Sequence, residues 1–233
     1  MKRIVCATLL LCCAFPLTLP GESIVLGTDS GGNADPFAGP FPGFPGTRYQ
    51  EAYASSDFAG PISISAIDFF LQPGFSGSTL YGATYQVSLS IIGADIDALS
   101  ETNLDSNPGV DNTLFAVETL AGPAPNVLTF SGGPFYYDPS LGNLLLDMRV
   151  SNPTGGGSAI FQDGAGRGPA GIIRYSNFFN GTRGYGLVTE FSGVSSSRFT
   201  NELVSPEPGT LVLLGGGLAG LFIRRRRHTG IHS

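Results

Sequence analysis

The chain has 233 residues, of which 42% are hydrophobic and 13% are charged, and its formal net charge at pH 7 is −6. This length suits one domain, and the acidic balance argues against nucleic acid as a partner, because nucleic-acid binding needs basic patches. With 34 glycines and 17 prolines, the composition favours many short strands joined by turns over a helical fold.

The N-terminus has the parts of a secretory signal. Lys2 and Arg3 precede an apolar run over residues 4–15, which is too short to span a bilayer that needs about 20 apolar residues. Two prolines and a glycine then interrupt any helix. We predict a signal peptide over residues 1–21 that uses the Sec export machinery and is removed by signal peptidase. A buried N-terminal helix is the alternative.

The first half of the body is predicted to form strands after an irregular start. Residues 28–46 are rich in glycine, proline, asparagine and aspartate, which indicates a long loop. Residues 62–69 alternate between apolar and polar side chains, and the phase breaks near Ala66, where we expect a β-bulge. Residues 84–91 alternate more regularly and form a second predicted strand, with one apolar face made by Tyr85, Val87, Leu89 and Ile91.

The second half of the body continues the same pattern. In residues 143–150, one face carries Leu144, Leu146 and Met148, and the other carries Leu145. Other short strands are predicted at residues 114–120, 126–130, 159–161, 171–175 and 186–191. Strands at this spacing predict an all-β fold, an antiparallel and jelly-roll-like β-sandwich, with a closed barrel as the alternative.

An acidic, turn-rich segment between residues 95 and 111 offers oxygen ligands at alternating positions: Asp95, Asp97, Asp105, Asn107 and Asp111. Calcium prefers such carboxylate and carbonyl oxygens, but the ligand spacing of an EF-hand loop is absent. Asx turns explain the same residues without a metal. We therefore expect no cofactor, with calcium at this segment as the alternative.

Other chemistry is limited by what the body lacks. All three cysteines lie before residue 14 and both histidines after residue 227, so disulfides, Ser-His-Asp triads and His/Cys zinc sites are excluded from the body. A carboxylate pair for glycoside hydrolysis stays open, without a spacing that selects it, among Asp68, Asp95, Asp97, Glu118, Asp147 and Glu190. A sugar-binding face or ordinary core packing would explain the aromatic residues Tyr175, Phe178, Phe179 and Tyr185.

The C-terminal segment has the order of a sorting and stop-transfer signal. Pro206, Glu207 and Pro208 form a polar motif that cannot be regular helix. Residues 210–223 carry no charge and are followed by Arg224, Arg225, Arg226 and Arg227. The positive-inside rule leaves these arginines in the cytoplasm and the body outside the membrane. As a helix, the apolar stretch reaches about 21 Å across a hydrocarbon core of roughly 30 Å, so we predict a short, temporary transmembrane helix. A buried core helix that ends in a basic tail is the alternative.

This order of motif, apolar stretch and arginine cluster resembles the PEP-CTERM sorting signal. The resemblance implies a Gram-negative bacterium with an exopolysaccharide system, and an exosortase, a membrane cysteine protease, that recognises Pro206, Glu207 and Pro208 and cleaves at or near them. The chain then divides into a signal peptide (1–21), a β-sandwich body (22–204), a sorting signal (205–227) and a tail (228–233).

These features together predict an exported, exosortase-sorted protein with no catalytic activity. It would pass through the inner membrane and then reside at the cell surface or in the extracellular matrix, associated with exopolysaccharide in a biofilm. One alternative is a carbohydrate-binding module or adhesin, either with or without a dependence on calcium. A glycosidase that uses a carboxylate pair is the less favoured alternative.

Overall fold

The computed structural model describes residues 21–39, 47–93, 95–164, 173–176 and 186–195. The predicted signal peptide lies outside these residues apart from Gly21, and the predicted sorting signal and tail lie outside them entirely. The strands of the described parts are numbered β1 to β13 in chain order. Four short 3-10 helices accompany them, at Ser55–Asp57, Ile96–Ala98, Leu104–Ser106 and Pro139–Leu141. No helix in these ranges is long and apolar enough to cross a membrane.

Most of the strands form two antiparallel sheets. The four-stranded sheet has the order β1 (Glu22–Leu26), β13 (Thr189–Ser195), β5 (Ile62–Phe70) and β8 (Val127–Tyr137). The five-stranded sheet has the order β12 (Ile173–Ser176), β4 (Thr47–Tyr53), β9 (Asn143–Gly155), β6 (Thr79–Ile92) and β7 (Thr113–Pro123). Two small pairs join β2 (Gly32–Asn33) to β11 (Phe161–Gln162) and β3 (Ala38–Gly39) to β10 (Gly157–Ser158).

Both sheets contribute to one hydrophobic core, because alternate residues of each strand point towards it. The rings of Tyr53 and Phe191, which come from different sheets, lie edge to face with centroids 5.0 Å apart. Those of Tyr85 and Phe130 are 6.4 Å apart. As the pattern predicted, Tyr85, Val87 and Leu89 are fully buried. The prediction of an all-β fold with antiparallel sheets is confirmed.

The bulge predicted in the first regular strand is also confirmed. The pairing of β5 with β8 shifts register between Ile64 and Ala66, and on its other side β13 shifts between Ser192 and Gly193. Gly193 is required there, since a Cβ atom at this position would lie 2.0 Å from the Ser63 carbonyl oxygen. Beyond the bulge, Ile67 and Phe69 return to the core and are fully buried.

A second, smaller hydrophobic cluster covers the outer face of the five-stranded sheet. Leu145 points into it, opposite to its neighbours Leu144 and Leu146, as the sequence predicted. The cluster also buries apolar side chains of the acidic segment, which forms the two 3-10 helices Ile96–Ala98 and Leu104–Ser106. Its members are Ala52, Ile92, Ile96, Leu99, Leu104 and Leu145.

The segment predicted as a loop over residues 28–46 differs from that expectation in its described part, residues 28–39. It contributes the two short strands β2 and β3, and it inserts Phe37, which is fully buried, into the main core. The ring centroid of Phe37 lies 4.8 Å from that of Phe161 and 5.4 Å from that of Phe69. The composition suggested a loop, because Phe37 is a single large apolar residue among residues that favour turns.

Candidate functional site

The residues proposed for calcium hold the acidic segment against the sheet. Asp95 accepts a hydrogen bond from the Asp97 amide at 3.2 Å and caps the first 3-10 helix of this segment. The Asn107 side chain accepts from the Ser100 amide at 2.8 Å. Asp111 accepts from the Ile91 amide at 3.0 and 3.1 Å with its two oxygens. The contact of Asp95 is the Asx turn that explains such a residue without a metal, whereas Asn107 and Asp111 hold more distant parts of the chain.

The carboxylate of the fifth proposed ligand, Asp105, is paired with arginines. Asp105 forms ion pairs with Arg48 and with Arg149, the latter at 2.8 Å. The hydrogen bond from Arg48, and to a smaller extent the one from Arg149, holds the pKa of the Asp105 carboxyl below its usual value. Among the residues that the structure describes, no three His, Cys, Asp or Glu side chains are grouped as a metal site requires. The structure therefore does not bring the proposed ligands together, and calcium binding stays a prediction.

A buried ion pair lies beneath this segment, on the outer face of the five-stranded sheet. Arg48 of β4 donates from Nε and Nη2 to the two oxygens of Asp147 of β9, at 2.8 and 2.7 Å. The Asp147 side chain is 3% exposed. Burial opposes the charge of Arg48, but the hydrogen bonds and charges of Asp147 and Asp105 outweigh it and raise the pKa of the guanidinium. Gln50 joins this pair to the acidic segment through Leu104 and Asn107.

A second buried polar cluster lies between the two sheets and was missed by the sequence analysis. The fully buried carboxylate of Glu51 accepts hydrogen bonds from the hydroxyls of Tyr49 and Tyr53, from the Leu187 amide and from the Thr189 hydroxyl. Burial raises the pKa of Glu51, although each of these hydrogen bonds lowers it. The Tyr-x-Glu-x-Tyr alternation at residues 49–53 was the available signal, because it places all three side chains on one face of a strand.

Of the six carboxylates considered for glycoside hydrolysis, Asp68 and Glu190 are brought together as direct neighbours. They face each other in the pairing of β5 with β13, on the outer side of the four-stranded sheet. The Oδ1 atom of Asp68 is buried and has no hydrogen-bond partner in the described structure. Asp147 is held in the ion pair with Arg48, and Asp95 and Asp97 lie in the acidic segment.

The same outer face carries a row of side chains across all four strands. The strand register places Val25, Glu190, Asp68 and Thr129 side by side. Tyr136 lies on the same face but further along the sheet, opposite Ser63 and five residues along β5 from Asp68, and 54% of it is exposed. None of the four aromatic residues proposed for sugar binding has a described side chain. Phe178, Phe179 and Tyr185 lie outside the described residues, and for Tyr175 only the backbone in β12 is described.

A small cavity lies at one end of the four-stranded sheet. Its volume is about 120 Å³, well below the roughly 300–1,000 Å³ of small-molecule pockets. It is lined by Glu22, Ser23, Ile24, Phe58, Ala59, Gly60 and Ile62. This cavity is too small for a sugar ligand, so it marks the packing of β1 against the turn that precedes β5.

The last described strand, β13, ends at Ser195, ahead of the predicted sorting signal. A comparison with protein-family models identifies the segment beyond it. Residues 206–227 match the PEP-CTERM protein-sorting motif. The match begins at Pro206 and ends at Arg227, so it includes the proline-glutamate-proline sequence, the apolar stretch and all four arginines. The resemblance inferred from the sequence is confirmed.

The PEP-CTERM motif covers the sorting segment only and carries no information about the body. Comparisons with curated proteins and with solved structures gave no significant match. The role of the body must therefore be argued from its own residues.

Proposed function

We propose that this chain is an exported, exosortase-sorted protein whose β-sandwich body resides, without catalysis, at the cell surface or in the exopolysaccharide matrix of a Gram-negative bacterium. The observation that carries the proposal is the PEP-CTERM motif at residues 206–227. An exosortase recognises Pro206, Glu207 and Pro208, while the apolar stretch and Arg224 to Arg227 hold the chain in the inner membrane until cleavage.

The body supports this role by its construction. The two large sheets share one core, which favours a β-sandwich, and the last described strand is complete at Ser195 before the motif begins. Its two buried polar clusters, around Arg48 and Glu51, join elements of the fold to one another. A domain that holds itself together by such contacts, without a disulfide, suits a structural protein outside the cell.

The test is cell fractionation in the native host with Pro206, Glu207 and Pro208 replaced by alanines. The natural protein should leave the inner membrane, and the variant should remain there with its arginines. A matched control replaces Asn201, Glu202 and Leu203, the same number of residues just before the motif, and should be sorted normally. If the motif variant leaves the membrane as the natural protein does, exosortase sorting is refuted.

Polysaccharide binding is a second candidate role for the body. The outer face of the four-stranded sheet supports it, since the exposed ring of Tyr136 suits stacking on a sugar and the opposed carboxylates Asp68 and Glu190 suit hydrogen bonds to hydroxyl groups. Such a face would keep the sorted protein in the matrix.

A glycan array probed with the purified body tests this candidate, with and without a calcium chelator. Tyr136→Ala should lose binding, whereas Leu141→Ala, which removes another exposed apolar side chain away from this face, should retain it. Absence of binding to every polysaccharide by the natural body would eliminate this role, and loss of binding on chelation alone would assign it to a calcium site.

A further inference from the structure

The start of the first described strand and the end of the last one lie at the same end of the body. Strand β1 begins at Glu22, directly after the predicted signal peptide, and β13 is the last described strand before the PEP-CTERM motif. They are antiparallel neighbours, with Glu22 paired to Gly193. The start of the first strand therefore lies beside the end of the last, and both flanking segments leave from one end of the sheet.

Other elements identify this end of the body, which we call the proximal end. Phe58, Gly60 and Glu22 line the small cavity at this end. Nearby, the Ser55 amide donates a hydrogen bond to the Asn143 side chain at 2.8 Å. The 3-10 helices Ser55–Asp57 and Pro139–Leu141 pack together there. The distal end, at the other ends of the same strands, carries the turns at residues 72–78 and 124–126.

We propose that the proximal end faces the inner membrane for as long as the sorting signal holds the protein there. This inference rests on the proposed function, because it needs the apolar stretch after the motif to lie in the bilayer. The partner is a lipid surface, and the orientation is set by where the chain leaves the fold.

The length of the connecting chain sets the preferred orientation. Residues 196–209 separate the end of β13 from the apolar stretch that begins at residue 210. A chain of this length reaches at most about 50 Å and typically spans roughly 20 Å. Strand β6 has 14 residues and, at about 3.3 Å per residue, runs for roughly 46 Å between the two ends of the body. Only a fully extended connecting chain would reach along the whole body, so an inverted body with its distal end at the membrane is disfavoured.

Electrostatic attraction to lipid does not explain the orientation. Glu22, Asp57 and Asp138 lie at the proximal end and would be repelled by anionic headgroups. The connecting chain alone therefore holds this end near the bilayer, and the orientation should not depend on anionic lipid.

Energy transfer from the body to the membrane tests the inference. Leu141→Cys places a donor dye at the proximal end, and Phe75→Cys places it at the distal end. Both positions are exposed, by 64% and 41%. Each uncleaved protein is isolated from the membranes of a host without exosortase and reconstituted into phosphatidylcholine vesicles that contain an acceptor-labelled lipid. The natural protein is the unlabelled control, since residues 22–205 contain no cysteine.

The donor at residue 141 should show severalfold higher energy transfer than the donor at residue 75. Inserting about 20 Gly/Ser residues after Ser195 should remove most of the difference, because a longer flexible chain lets the body turn over. Equal transfer from the two positions, or higher transfer from residue 75, would overturn the inference. If the natural protein does not float with the vesicles, the membrane-held state is absent, and the proposed function fails together with the inference.

Discussion

Arg48 contacts two carboxylates whose exposure differs greatly, and its role depends on the buried one. Asp147 is 3% exposed and Asp105 is 73% exposed. An exposed ion pair contributes at most about 1 kcal/mol. A buried carboxylate left without its partner is costly, because it has lost its hydration. The Arg48–Asp147 pair, which joins the neighbouring strands β4 and β9, should therefore contribute more to stability than the contact of Arg48 with Asp105.

We expect Arg48→Ala to lower the free energy of unfolding by about 3–5 kcal/mol, because it leaves the Asp147 carboxylate buried without an ion-pair partner. Arg149→Ala, which breaks only the exposed contact with Asp105, should have a much smaller effect. Urea unfolding of the two variants beside the natural protein measures the difference. Equal losses would show that Asp147 does not depend on Arg48.

Glu51 makes the stability of the body depend on pH. Burial raises its pKa above the ordinary value of 4.5, so the folded protein holds the proton more tightly than the unfolded chain. The stabilisation linked to this proton is fully present below pH 4.5 and is lost as the pH rises through the raised pKa. Glu51→Gln has no proton to lose and retains an oxygen that accepts from the Leu187 amide.

The free energy of unfolding of Glu51→Gln should thus fall less than that of the natural protein between pH 4.5 and neutral pH. Urea unfolding at a series of pH values measures both curves, and their difference isolates Glu51 from Asp57, whose pKa burial also raises. Parallel curves would mean that Glu51 keeps an ordinary pKa in the folded protein.

At the scale of elements, Phe37 fixes the segment that contains β2 and β3. It is fully buried and contacts the rings of Phe69, Tyr85, Phe130 and Phe161. Phe37→Ala should lower the free energy of unfolding by about 3–5 kcal/mol through loss of burial and the cavity that remains. Phe75→Ala, at a position that is 41% exposed, is the matched control and should have little effect. Similar losses in the two variants, measured by urea unfolding, would contradict this placement of Phe37.

The elements that the sequence predicted are those with local periodicity. The alternation in β6, the bulge in β5 and the opposite orientation of Leu145 all arise from side chains a few residues apart. Phe37 was missed because its partners lie far along the chain, up to Phe161. The same reason hid the contact of Glu51 with Leu187 and Thr189, although the alternation with Tyr49 and Tyr53 was visible.

At the scale of the whole molecule, the folded body and the sorting signal carry separate information. The PEP-CTERM motif was predictable from the sequence because its parts succeed one another within residues 206–227. The outer face of the four-stranded sheet was not, since Glu190, Asp68 and Thr129 become neighbours only through strand register. The motif indicates how the protein is sorted, and this face is where the proposed polysaccharide binding should be sought.

If the protein is exported and sorted as proposed, both of its terminal signals are removed on the way to the cell surface. The most direct test is the intact mass of the protein recovered from the cell surface or matrix of its native host. We expect a chain that begins near residue 22, ends at or near residues 206–208 and lacks Arg224 to Arg227. A surface protein whose mass includes those arginines would contradict exosortase processing and would make the C-terminal segment a permanent anchor.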